Sequence, residues 1–468
     1  MLDKTLLSEL IKFSKKDMVR AHMPGHNGGL GLSRRYKRAA FKIDVTEFDE
    51  TDNLADPRGI LERSMKNTAK VFGAKHTFYL VNGSTSGIQA AILSIAVPGA
   101  SLIVDRACHK SVIAAMIMAR LRPVFIEGEF IQSFGAYGAV QPETVAEALS
   151  ENPDACGAVL TCPTYYGICS DIRQIADRVH SAGLPLIVDE AHGAHFVFSE
   201  KLPPTALSGG ADVVIQSAHK TLPSPGQTAL LHLGSSGRVS PERVGRFLNL
   251  IQTSSPSYTL LAGIDCAVRQ MNGCGRRRLD LIIERILRLR AKIGTLDSIA
   301  CASAGNLDRP HDITKLLVDF SKLGISGTGA AAMLKKDYGI YPELADEHNV
   351  LFYLSCGSTL RDIALIDRAV TDIAGSDFKE QTVMDSEPLP KIKFAASMHH
   401  AFWGESETLP AESCEGRICT ETLVCCPPCA PITVPGQILE HETIEYIIKH
   451  TDIKRINVLT SNGEESIK

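Results

Sequence analysis

The sequence predicts an α/β fold: a large domain built on a mostly parallel sheet with helices on both faces, plus smaller α+β units toward the C-terminus. Three observations carry this. Short apolar runs alternate with helical spacing from about residue 59 to residue 232. Those runs are almost continuously apolar, as a sheet covered on both faces requires. Polar residues gather just after them, where such sheets place a ligand crevice.

Taken in order, residues 1–17 read as an amphipathic helix with Leu2, Leu6, Leu7, Leu10 and Ile11 on one side. Glycines and a proline around His22 and His26 then make a permissive loop, either a plain linker or a close approach to a ligand. An acidic connection, 44–52, leads to a helix at 60–72. A strand at 77–81, a turn holding Ser84, Thr85 and Ser86, and a helix at 88–96 follow. Strand, hydroxyl-rich turn and helix start together form a phosphate-binding arrangement, through free N–H groups and the positive helix end. The same hydroxyls would also serve as plain helix caps. Further strands are expected at 102–105, 124–126, 158–161, 186–192, 213–216 and 228–232, with helices ending near 119 and at 142–149 and 172–182.

The totals exclude several classes. With 44% hydrophobic and 22% charged residues and a net charge of -4, nothing favours nucleic acid or an anionic membrane surface. The N-terminal helix lacks the apolar core and cleavage site of a signal peptide, and no run would span a bilayer, since Pro98 and Gly99 break the best candidate. The cytoplasm is the expected location. The thirteen cysteines are scattered, which suits reduced thiols more than a disulfide frame.

Five polar clusters close five apolar runs: Ser84 to Ser86; His109; Thr164 to Tyr166; Asp189 with His192; and Ser217 with His219 and Lys220. Together they suit pyridoxal 5'-phosphate (PLP). That cofactor needs a lysine for its aldehyde, an acid for its pyridinium nitrogen and donors for its phosphate. Lys220 follows a buried strand, where burial would depress its amine pKa and make it a nucleophile. By itself such a lysine is usually a surface residue. Asp189 suits the ring nitrogen, or else a helix cap or ion pair. Ser84, Thr85 and Ser217 suit the phosphate, and His109 suits stacking on the ring. His192 and His195 after Asp189-Glu190 allow a zinc reading, but no metal triad is evident and none is expected.

The segments His22-Met23-Pro24-Gly25-His26, Asn82 to Ser86, Cys108-His109-Lys110-Ser111, Asp189 to His195 and Gln216 to Thr221 resemble the ornithine/lysine/arginine decarboxylase family of fold-type-I (aspartate aminotransferase-like) PLP enzymes. The similarity is to the short form, without an N-terminal wing domain. It implies Lys220 as the Schiff-base lysine, Asp189 as the pyridinium partner and His109 as the stacking residue. Ser84, Thr85, Ser86, Ala191, His192, Ser217 and His219 complete the expected cofactor set. The segment Gln252 to Pro256 is similar to one that reaches a neighbouring subunit's phosphate, so Ser255 would act in trans across a homodimer. His26 and Glu421 are the expected substrate contacts. The implied reaction is decarboxylation of a basic amino acid, arginine ahead of lysine or ornithine, giving agmatine, cadaverine or putrescine. A different PLP reaction (transamination or aldol-type cleavage) and a non-catalytic family member are the alternatives.

The chain departs from the family pattern at Asn27, where lysine is usual. It departs again at Ser224-Pro225-Gly226-Gln227 in place of Ala-Leu-Thr-Gln, and at Cys425-Cys426-Pro427-Pro428-Cys429-Ala430-Pro431 in place of Pro-Tyr-Pro-Pro-Gly-Ile-Pro. These bear on the substrate more than on the cofactor. The cysteines of the last segment allow a metal or a free-thiol reading. Four units are expected: an N-terminal helix and active-site segment (1–58), the PLP-binding large domain (59–300), a small α/β domain (301–385) and a terminal family module (386–468).

Overall fold

The computed structural model describes residues 5–307, 309–378, 386–425 and 430–461. Most of the cysteine-proline loop, 426–429, therefore lies outside the described residues. The central sheet contains β1 (His76–Leu80), β2 (Ser101–Asp105), β3 (Arg122–Ile126), β4 (Ala155–Thr161), β5 (Leu186–Asp189), β6 (Val213–Gln216) and β7 (Ala229–Leu233). Their spatial order is β1-β7-β6-β5-β4-β2-β3. All neighbours pair parallel except β7, which is antiparallel to both β6 and β1. The reason is the short link between β6 and β7. It holds only a four-residue helix, Ala218–Thr221, whereas a parallel return needs a full crossover.

Helices cover both faces. On one side Gly83–Ile95, Lys110–Ala119 and Pro241–Ile251 pack on Leu102, Val104, Ile187, Val213 and Ile215. On the other, Ile60–Phe72, Pro142–Glu151, Ile172–Ser181 and Tyr258–Gln270 pack on Ile103, Leu160, Val188 and Val214. Adjacent residues of one strand thus serve opposite cores, which is why the strands show no polar alternation. Each fully buried Val, Leu or Ile contributes about 1.5–3 kcal/mol before chain-entropy costs. The helix after β1 begins at Gly83, earlier than its apolar pattern implies, so Ser84, Thr85 and Ser86 form its first turn.

A second sheet joins Ala300–Cys301, Lys315–Asp319, Asn349–Tyr353 and Leu344–Ala345 in that order, all antiparallel. Its core is shared with Ile282, Ile286 and Leu289 of the long helix Arg276–Ile293 and with Ile363, Ile366 and Val370 of Leu360–Ala374. Val19–Ala21 joins this core too, pairing parallel with Ile340–Pro342. The N-terminal loop is thereby strung from the second core to the end of the first sheet. A third core, with Ile432, Leu439, Ile447, Ile456 and Val458, lies within the C-terminal residues. The fully buried Arg106 links it to the main sheet, donating to the carbonyl oxygens of Pro431 and Ile432.

Candidate active site

A cavity of about 590 Å³ opens at the C-terminal ends of β2, β4, β5 and β6. That is within the range of small-molecule sites. Ser84, Thr85, His109, Asp189, Ala191, His192, His219 and Lys220 all line it. They come from four separate chain segments, gathered because each follows a strand of one sheet.

At one end lies the first turn of Gly83–Ile95. Its N-terminus presents backbone N–H groups and the positive helix end, with Ser84 and Thr85 on the cavity wall. Ser217 is fully buried behind them and donates its hydroxyl to Ser84 Oγ at 2.9 Å. The unusual Ser224–Gln227 segment supports this end. The carbonyl of Gln227 accepts the Gly83 N–H at 2.9 Å, and Thr228 accepts the His219 N–H at 3.2 Å. Ser86 differs: it is buried, donates to the Gly83 carbonyl at 2.9 Å and does not line the cavity.

Asp189 is buried at the end of β5, and among the described residues only one hydrogen bond reaches its carboxylate, from the Ala191 N–H at 3.1 Å. Burial pushes its pKa above the ordinary carboxylate range, partly offset by Lys220. A carboxylate left so lightly partnered on a cavity wall fits a protonated ring nitrogen. His109 caps the helix Lys110–Ala119, its Nδ1 accepting from the Ser111 N–H at 3.2 Å and lying 2.8 Å from the Ser111 hydroxyl. Desolvation, then the charges of Lys220 and Lys110, push it down to about 4, so its ring is neutral at ordinary pH. Lys220 is half-buried, and desolvation lowers its amine pKa against the opposing pull of Asp189 and Glu343. The donor set thus fits PLP: hydroxyls and a helix N-terminus at one end, an acid and a neutral ring in the middle, and an amine of lowered basicity.

Other expected residues lie apart from this wall. His26 is half-buried in the N-terminal loop and accepts the Gly29 N–H at 2.9 Å. That loop touches the lysine turn, since the Gly25 N–H donates to the His219 carbonyl at 3.0 Å. Glu421 accepts the Asn457 N–H at 2.6 Å and does not line the cavity, although Val424 three residues on does. Ser255 is exposed and outside its own chain's cavity. His195 pairs with Asp312 and Thr314 at 3.2 and 3.1 Å. No three His, Cys, Asp or Glu side chains converge as a metal site among the described residues.

Sequence reasoning missed two residues. Glu343, beside the second sheet, accepts the Tyr165 hydroxyl at 2.6 Å and the Met23 N–H at 2.7 Å, joining that sheet to the cavity wall and the N-terminal loop. Lys315 is completely buried beside His192. Its only signal in the chain is a lysine heading an apolar strand, too common a feature to single out.

The fold and donor set define a PLP-dependent enzyme of the aspartate aminotransferase-like class. Residues 4–311 match the Orn/Lys/Arg decarboxylase major domain. Arginine decarboxylase of Bacillus subtilis is 32% identical over 96% of this chain and 93% of its own length. Arginine decarboxylase of Halalkalibacterium halodurans is 34% identical, covering 94% and 92%. The solved lysine decarboxylase LdcF of Francisella novicida shares the fold, with TM-score 0.77 at 17% identity, covering 97% of this chain and 80% of that one. The chain belongs to the Orn/Lys/Arg decarboxylase family.

Proposed function

We propose that this protein converts arginine to agmatine and carbon dioxide with PLP held by Lys220. The observation that carries the reading is the convergence of Lys220, Asp189 and His109 on one cavity beside the Ser84–Thr85 helix start. The names of its full-length relatives favour arginine over lysine or ornithine. PLP, when bound, supplies an electron sink for the pair left as the Cα–carboxylate bond breaks. Asp189 keeps a negative charge facing the ring nitrogen, which preserves that sink. The Ser84 and Thr85 hydroxyls with the helix N–H groups hold the phosphate, and the buried Ser217 orients Ser84 from behind. His109 offers a neutral ring for stacking, and Tyr165 and Tyr166 line the same cavity. Glu421 and His26 are assigned to the substrate's distal cation; the nearness of Val424 to the cavity supports Glu421. The four units 1–58, 59–300, 301–385 and 386–468 then cooperate, the large one holding PLP.

The working form in this reading is a cytoplasmic homodimer in which Ser255 contacts the partner's phosphate site. Exposed Phe41 and Leu250 support a covered face, and no described helix is long and apolar enough to cross a membrane. The test is to purify the protein with PLP, record the visible band of lysine-bound cofactor, and assay an amino-acid panel for CO2 and amine. Arginine should give agmatine, and Lys220→Ala should lose both band and turnover. A band that survives Lys220→Ala, or CO2 release from none of the basic amino acids, overturns the proposal.

A further inference from the structure

His192 stands between two lysines. Its Nε2 lies 3.0 Å from Lys220 Nζ and its Nδ1 lies 3.0 Å from Lys315 Nζ. Lys315 is completely buried. It also donates to the Tyr165 carbonyl at 2.5 Å and sits 4.9 Å from the centre of the Tyr165 ring. Neither lysine forms an ion pair with a carboxylate among the described residues. Asp312, whose charge acts on Lys315, is taken by His195 and Thr314.

Donor counting restricts the protons here. An ammonium only donates, and a neutral imidazole has one N–H and one acceptor nitrogen. Two ammonium groups cannot both be hydrogen-bonded to one imidazole, so both contacts form only when one lysine is a neutral amine. An imidazolium between two neutral amines also makes both. The three groups together therefore hold at most one excess proton, since a second would break one of the contacts. Burial holds His192 well below the usual imidazole range, with the charges of Lys220 and Lys315 adding to it, so the ring itself is neutral. Burial also brings Lys315 down to about 8, against the pull of Asp312 and Glu343. Lys220, which faces Asp189 and Glu343, is the partner that must be neutral to act as a nucleophile. His109 and His219, which also face His192, and Cys169, which faces Lys315, add no fixed charge while neutral.

We propose that Lys315, His192 and Lys220 form an internal proton relay, with Lys315 as the positioning residue that stores one proton for delivery to Lys220. Decarboxylation replaces the Cα–carboxylate bond with a C–H bond, so each CO2 released takes up one proton. In the relay, Lys315 Nζ gives a proton to His192 Nδ1 while the Nε2 proton of His192 passes to Lys220 Nζ. Lys315 is left as a neutral amine and Lys220 as an ammonium. The reverse transfer refills the store when Lys220 meets solvent in the open cavity.

The inference rests on Lys220 being the PLP lysine, and its test separates the two claims. Apoprotein is mixed with PLP, and the rate of appearance of the lysine-bound band is followed against pH. In Lys315→Met the excess proton moves onto Lys220. The midpoint of PLP uptake should then rise by about one pH unit, a roughly tenfold slower uptake at neutral pH. Lys315→Arg restores the charge but not a transferable proton. Uptake should return toward wild type while kcat stays at least about tenfold down with KM little changed. Should Lys315→Met not fold, His192→Gln tests the relay by a different readout, because an amide does not pass a proton. Loss of kcat with retained PLP uptake in His192→Gln supports the relay. Uptake and kcat profiles that match wild type in the folded variants overturn it. A band that persists in Lys220→Ala removes the Lys220 assignment instead.

Discussion

Asp189 sits at the end of β5 with, among the described residues, a single backbone N–H on its carboxylate, and this leaves its charge directed at whatever occupies the cavity. Its neighbour Glu190 shows the contrast. Glu190 is equally buried, but it accepts the Ala206 N–H at 2.7 Å and the Gln216 side-chain amide at 2.5 Å, and burial raises it to about 8. One carboxyl is tied into the scaffold, and the other faces the cavity. Asp189→Asn keeps the shape of the side chain and removes the charge. It should leave the visible PLP band in place but lower kcat on the order of 10²-fold or more, the scale of losing one pre-placed electrostatic group. Absorbance spectra with steady-state CO2 release check this; an Asn variant with near wild-type kcat would remove the assigned role.

At the scale of elements, β7 is held by His232. Its Nδ1 pairs with Thr77 Oγ1 of β1 at 2.8 Å, its Nε2 with Gln216 Oε1 of β6 at 3.2 Å, and its ring stacks 4.6 Å from Phe72. Burial lowers its pKa to about 3. Unfolded, the same ring titrates near 6.5, so between pH 6.5 and 3 the unfolded chain binds the extra proton and stability falls as pH falls. The slope is at most about 1.4 kcal/mol per pH unit for this group. His232→Gln should lower Tm at pH 7 through the lost fit, yet flatten the decline of Tm from pH 6.5 to 3; an equally steep decline would show that other groups govern the acid limb. These elements were largely legible in the chain. Strands such as 213–216 and the helix 60–72 stand out because burial on both faces writes long apolar runs and amphipathic spacing. The N-terminal pairing of Val19–Ala21 with Ile340–Pro342 was not legible, since three residues carry no period and their partner lies more than three hundred residues away. The cavity residues at strand ends were readable from position. Lys315 was not, because it enters from the second sheet and only its tertiary neighbours distinguish it.

Over the whole molecule, the cavity is walled by the main sheet and touched by the other cores: Lys315 and Glu343 come from the second, Tyr137 and Val424 from near the third. Among the described residues Ser255 does not line its own chain's cavity, although Thr253, two residues before it, donates its N–H to the Asn82 side-chain oxygen at 3.3 Å. In the proposed dimer this exposed segment would serve the neighbour, and a twofold axis would use it reciprocally. Mixing two inactive variants tests this. Lys220→Ala lacks the amine but keeps Ser255. Ser255→Asp keeps the amine but sets a carboxylate against the partner's phosphate, where like charge repels. Each alone should turn over little. Co-expressed in equal amounts, half of the dimers carry both chains. In each of those, the intact Lys220 faces the intact Ser255 of the other subunit at one of the two sites. Activity should therefore recover to about a quarter of wild type under random pairing. If Ser255 served its own chain, every site would retain one defect, and the mixture would show no more activity than its two parents combined.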